Sequence, residues 1–200
     1  MKHFKIILLM FIFSSILYGS WWGDDKKKSR IEINQEKFIT KQKRIKVNNE
    51  TLELLYKYVP DAKTKLLNSY GYATFANFGA TMVFISYENG QGMAHNNRSG
   101  INTYMSMHSG GLGIGMGGQE FRTVFLFATK EAYDKFINSG WEANAKADAT
   151  AKYDEDGAST NAALTVAKDV TLYKFSKDGL MLQATVMGTK YYKDNELNRY

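Results

Sequence analysis

The sequence predicts an α+β fold: N-terminal helices, then a strongly curved or partly closed antiparallel β-sheet with one inserted helix. Three observations carry this. Helical patterns are confined to the stretch before Tyr70 and to one later segment. Short β-branched and aromatic runs separated by Gly-containing turn pairs fill the rest, which argues for antiparallel neighbours. Finally, small residues recur at every second position in GGLGIGMGGQEF and in WEANAKADATAKYD, the period of a strand.

Taken in order, residues 1–20 have the outline of a secretory signal peptide. Lys2 and Lys5 precede a largely apolar run from Ile6 to Tyr18, followed by Gly19 and Ser20. Thirteen residues are short for a membrane span, which needs about 20; the chain is expected to be exported, the alternative being an uncleaved anchor that continues through Trp21 and Trp22. Without Lys2 and Lys5, 24 basic and 20 acidic side chains remain, a net +4. The excess lies in residues 24–46, with nine Lys/Arg against four Asp/Glu; residues 47–200 carry 15 against 16. Residues 21–47 therefore read as a basic N-terminal arm ahead of a domain over 48–200, and such an arm suggests an anionic partner surface. In an exported chain that surface is phospholipid, with nucleic acid not expected.

Within the arm, Ile31, Phe38 and Ile45 fall seven apart, with Ile39 beside Phe38, a weakly amphipathic basic helix whose stripe either lies on an anionic membrane or packs on the domain. Asn49 is placed to cap a helix with Leu52, Leu54, Leu55 and Tyr58 on one face, ended by Pro60. Asp61 opens a second, short helix through Leu66 and Leu67. Strands follow: ATMVFISY and GQGMAHN flank Asn89-Gly90, a hairpin signal. INTYMSMHS alternates loosely, and RTVFLFAT reads as a buried strand. KEAYDKFINSG forms the inserted helix, closed by Gly140. WEANAKADATAKYD favours helix by composition, but its alanines alternate strictly from Ala143 to Ala151, so it is assigned to strand. Asp156-Gly157 and Asp178-Gly179 mark turns around VTLYKFS and GLMLQATVMG.

Gly113, Gly115 and Gly118 satisfy G-x-G-x-x-G, yet QEFRTVFLFAT after them is a strand, and a dinucleotide site needs a helix there. No nucleotide is expected. Gly111, Gly113, Gly115, Gly117 and Gly118 are instead structural, giving a strand with one bare face that admits close packing. With no cysteine, thiol catalysis, disulfides and cysteine-ligated zinc are excluded. His95 and His108 stand outside any hydrolase or metal motif, and DEDG at 154–157 lacks the glycine and glutamate of a calcium loop. Neither enzymatic activity, metal nor cofactor is expected.

Together the helix ending at Pro60, YGYATFANFG, Gly90-Gln-Gly92, the glycine-alternating strand closing in Gly-Gln, VFLFATKEAYDKF, SGWEANAKADA and YKFSKDGLMLQATVMGTKYY resemble the SYLF-domain family in its bacterial branch. The likeness covers about residues 50 to 195. It departs from the family at Ala76, where proline is usual, and at Phe84, Ser86 and Tyr87, where glycines are usual. The resemblance implies a lipid-binding module. Eukaryotic members bind phosphoinositides and, in some fungal proteins, actin; bacterial members are exported and associate with the envelope.

The expected function is peripheral association with anionic phospholipid. Lys26, Lys27, Lys28, Arg30, Lys41, Lys43, Arg44 and Lys46 would meet lipid headgroups as mobile point charges. Trp21, Trp22, Ile31, Phe38, Ile39 and Ile45 would enter the interface. The alternative is an envelope module that contacts a protein partner and no lipid. A membrane-spanning barrel is disfavoured, because KDNELNRY cannot form a closing strand and the alanine ladder offers no lipid-facing apolar band.

Overall fold

A computed structural model describes residues 28–143, 152–153, 163–176, 179–180 and 188–199. The elements are α1 (Arg30–Tyr58), α2 (Ala62–Asn68), β1 (Gly71–Asn96), β2 (Asn102–Phe127), α3 (Lys130–Ser139), β3 (Trp141–Ala143), β4 (Lys152–Tyr153), β5 (Ala163–Ala167), β6 (Val170–Ser176), β7 (Gly179–Leu180), β8 (Gly188–Lys193) and α4 (Asn195–Asn198). The architecture is α+β, with N-terminal helix, a curled antiparallel sheet and an inserted helix, as the sequence predicts. The chain divides into two units, Met1–Glu36 and Lys37–Tyr200.

In the described part of the first unit, Ser29 and Glu32 start α1 with a reciprocal capping box. The Ser29 amide donates to Glu32 Oε2 at 2.7 Å, and the Glu32 amide donates to Ser29 Oγ at 3.2 Å. That bond holds the Glu32 carboxyl below its ordinary pKa, the Ser29 backbone amide acting first. Lys28 pairs with Glu36, and Ile31 is 71% exposed.

The second unit is organised by the β1–β2 hairpin, two 26-residue strands paired from Gly71–Phe127 to His95–Asn102. On its outer edge β2 pairs with β8 through Met105–Gly110 and with β6 through Arg122–Phe127. One strand thus carries two different neighbours along its length, which a curled sheet permits. Register shifts between Val83 and Ile85. The shift changes which β1 residues face inward: Ala73, Phe75 and Asn77 before it, Glu88 and Ala94 after it.

Two cores lie on opposite faces. Leu55 and Val59, with Ala62 and Leu66 of α2, cover Tyr72, Val124, Leu126, Tyr173 and Phe175. On the other face Phe75, Met105, Met107, Phe125, Phe127 and Tyr191 pack against Tyr133 and Phe136 of α3. The run VFLF is therefore buried on both sides, as its unbroken apolar character predicts. Between the halves of the hairpin, Asn77 donates to Glu88 (2.8 Å) and to Thr123 (3.1 Å), and Lys174 reaches Glu88 at 3.0 Å. Glu88 is buried, and these donors are what make its burial tolerable.

Three expectations are corrected. Asn89-Gly90 is no hairpin turn: both residues sit inside β1, opposite His108 and Met107. Gly90 is required there because a Cβ would fall 2.1 Å from Asn77 Oδ1 and 2.9 Å from Met107 Cγ. The turn lies at Asn97–Ser99, where Asn96 Oδ1 accepts from the amides of Arg98 (2.8 Å) and Ser99 (3.0 Å), and Gly100 takes φ 71°. Second, Asn49 caps nothing, because α1 runs unbroken from Arg30 to Tyr58. Third, the compact unit begins at Lys37 and not at residue 48, so residues 37–47 of the expected arm belong to it.

Elsewhere α2 follows Asp61, α3 ends at Gly140 with φ 68°, and VTLYKFS is β6. Of the alanine ladder, Trp141–Ala143 and Lys152–Tyr153 are strand; Ala145 to Ala151, Asp156-Gly157 and most of GLMLQATVMG lie outside the described residues. GGLGIGMGGQEF is strand throughout, inside β2. A Cβ on Gly118 would lie 2.7 Å from the Phe78 ring, so close packing occurs there; at Gly117 nothing stands within 4 Å, and close packing is absent. Gly111, Gly113 and Gly115 belong to the same strand backbone, Gly111 opposite Ser86 and Gly115 opposite Val83.

Burial makes the tyrosines alkaline-sensitive. Tyr133 is pushed up to about 12, chiefly by desolvation, against a hydrogen bond with Thr103 that lowers it. Burial also raises Tyr191, Tyr72, Tyr104 and Tyr173. An unfolded phenol ionises near pH 10, so above that pH the unfolded state holds fewer protons than the folded one. Stability is therefore expected to hold to about pH 9 and to fall between about pH 10 and 12. Urea midpoints across that range check this; Tyr133→Phe should flatten the decline.

Candidate functional site

The face that α1 buries is a polar seam. Arg44, Asn48, Thr51 and Leu55, spaced four, three and four apart, turn into the body. Arg44 Nη1 donates to the carbonyls of Met105 (2.7 Å) and Gly92 (3.4 Å), and Nη2 pairs with Asp194 Oδ2 at 2.7 Å. Its side chain is 7% exposed. Burial lowers its pKa, and the Asp194 carboxylate opposes that shift. Thr74 Oγ1 donates to Asn48 Oδ1 at 2.8 Å. Ile45 packs beside Met93, Tyr104 and Leu197.

Two site expectations fail on this geometry. Arg44 is not a mobile charge for headgroups, since its guanidinium is committed to two carbonyls and a carboxylate. Ile45 is not an interface residue, because it is half-buried against the body.

The rest of the basic and apolar set stays outside. Within the compact unit Phe38 is 63% and Ile39 52% exposed. Lys41 stands three residues after Phe38 and Lys43 four after Ile39, so each apolar side chain has a lysine beside it on the helix surface. Lys41 Nζ also lies 5.4 Å from the Tyr104 ring centroid. Lys43 is exposed, and Lys46 is within 3.8 Å of Glu50. In the first unit Lys28 and Arg30 are exposed. Trp21, Trp22, Lys26 and Lys27 lie outside the described residues.

Between α1 and the outer face of the hairpin runs a groove of about 570 Å³. Lys43, Arg44 and Val47 form one wall; Ala76, Phe78, Ala80 and Tyr87 supply the apolar part of the other. Phe78 is 56% and Tyr87 53% exposed, high for aromatic rings on a sheet. Phe78 lies across the bare surface of Gly118. Arg122 completes the charge: Nη1 donates to Phe121 O at 3.3 Å and Nη2 is 3.8 Å from Glu120. The Nε–H groups of Arg44 and Arg122 are both buried and meet no acceptor among the described residues. Leaving such donors unmatched costs about 1–3 kcal/mol each. With Arg44 paired to Asp194 and Arg122 near Glu120, Lys43 leaves the groove lining with a single positive charge in excess.

Of the expected site residues that are described, the structure brings Lys43 and Arg44 to this groove. Phe78, Tyr87 and Arg122 were not anticipated. Arg122 gave a signal, a cation opening the otherwise apolar run RTVFLF. His95 bonds Asn102 at 2.6 Å, while His108 is exposed beside the Tyr192 ring. No group of three or more metal-ligating side chains occurs among the described residues, and no helix among them is long and apolar enough to cross a membrane.

No family model matches the chain. It is similar to Beta cell expansion factor A of Aeromonas veronii, 31% identical over 169 residues, which is 78% of this chain. The aligned part covers 59% of that relative, so the chain spans about three fifths of its length.

Proposed function

We propose that the chain is an exported, non-enzymatic protein that associates peripherally with anionic phospholipid of the cell envelope. The observation that carries this is the pair of exposed apolar side chains, Phe38 and Ile39, each flanked by an exposed or half-exposed lysine, Lys43 and Lys41. Burying a Phe or Ile side chain contributes about 1.5–3 kcal/mol. A lysine near an anionic surface adds about 1 kcal/mol. Lys28, Arg30 and Lys46 extend the basic surface, and Lys26, Lys27, Trp21 and Trp22 belong to the same proposal. The ordered blocks that resemble SYLF-domain proteins support this reading from sequence alone, and membership of that family is likewise proposed.

Co-flotation with vesicles tests it. The chain from Trp21 should float with phosphatidylglycerol-containing vesicles and not with phosphatidylcholine alone, and about 0.5 M salt should release it in part, because exposed charges are then screened over a few ångströms. Truncation to Val47 is unsuitable as a comparison, since it removes Arg44 from the body. Absence of flotation with either vesicle would replace lipid by an envelope protein as the partner. The relative's name describes expansion of beta cells; an action on such cells is a separate proposal resting on that similarity, tested by adding the purified chain to cultured beta cells and counting division.

A further inference from the structure

We propose that the groove between α1 and the β1–β2 hairpin binds a single long-chain carboxylate, a fatty-acid anion, from solution. Its volume of about 570 Å³ falls inside the range of small-molecule sites, about 300–1,000 Å³. A diacyl phospholipid exceeds that range; one acyl chain with a small head does not.

The lining combines apolar and cationic side chains, as such a ligand requires. Phe78, Tyr87, Val47, Ala76 and Ala80 supply its apolar lining, with the polar side chains of Asn77, Asn89 and Gln91 among them. Arg122, opposite Ala76 across the strand pair, and Lys43 on α1 supply the cations, with Arg44 and Glu120 in the same lining. Arg122 donates one hydrogen bond to the neighbouring carbonyl of Phe121, and its carboxylate contact with Glu120 is long, at 3.8 Å. Its Nε–H has no acceptor. The Nε and Nη2 donors form the edge of a guanidinium that accepts a carboxylate in bidentate fashion. Turning that edge of Arg122 to the head group would satisfy the buried Nε donor, while Lys43 supplies a second, movable charge. A neutral head would forgo the charge-assisted contacts with Arg122 and Lys43, and a short acid would leave the aromatic walls uncovered.

This goes beyond association with a membrane and is tested without a bilayer. Palmitate, held below its aggregation concentration, is titrated into the full chain from Trp21 by calorimetry, with native mass spectrometry for stoichiometry. One palmitate per chain is expected. Phe78→Ser and Lys43→Glu alter exposed side chains and should leave the thermal transition in place while weakening binding at least about tenfold, as should Arg122→Gln. Hexadecanol should bind at least about tenfold more weakly than palmitate. Absence of saturable one-to-one binding, equal affinity for the alcohol, or unchanged affinity in all three variants would overturn the proposal. Vesicle flotation could succeed or fail independently of each of these results.

Discussion

Replacing Gly92 with alanine is expected to abolish the folded state. A Cβ at this position would lie 2.0 Å from the backbone oxygen of Thr74 and 2.6 Å from the Phe75 ring. The oxygen belongs to β1 itself, on the other side of the curl, and cannot withdraw without opening the sheet. Phe75 is 1% exposed and packed edge-on to Phe125 and Tyr191, so the ring has nowhere to turn. The cost should exceed about 4 kcal/mol, in the range of severe core disruption. Gly110→Ala is the control: nothing stands within 4 Å of its Cβ, and the change should stay within about 0.5 kcal/mol. Urea unfolding, followed by far-ultraviolet circular dichroism, separates the two.

Arg44→Met is the second large effect. The methionine fills part of the stem's volume but strands the carbonyls of Met105 and Gly92 and leaves the Asp194 carboxylate, 20% exposed, without its cation. Removing one member of a buried pair costs about 3–5 kcal/mol. Arg44→Met with Asp194→Asn should recover part of that loss, since the neutral amide no longer demands a counter-charge. The double variant separates the ion pair from the two backbone bonds. If Arg44→Met unfolds at the parent's urea concentration, the helix is not fastened to the hairpin through this residue.

What the sequence disclosed follows from where its information is local. VTLYKFS and RTVFLFAT are legible because their β-branched and aromatic side chains are buried in the sheet, and the inserted helix because Gly140 closes it. The register of α1 was not legible, since its buried seam begins with Arg44, Asn48 and Thr51, whereas Ile31 and Phe38 on the apolar heptad are exposed. An apolar period is a good guide only where the contact itself is apolar. Asn89-Gly90 misled for a related reason. Glycine serves both positive φ and close approach, and only the distant partner Asn77 decides which. The groove was hidden for the same cause at longer range: Lys43, Phe78, Tyr87 and Arg122 come from three elements and share no spacing.

The most direct test of the membrane reading is vesicle co-flotation of the chain from Trp21 beside its Phe38→Ser/Ile39→Ser variant. Both side chains are exposed, so the variant should retain the parent's unfolding midpoint. The parent is expected to float with phosphatidylglycerol-containing vesicles and the variant to be lost from them by at least about tenfold in partition. Equal flotation of parent and variant would contradict it, and would move the membrane contact off this helix.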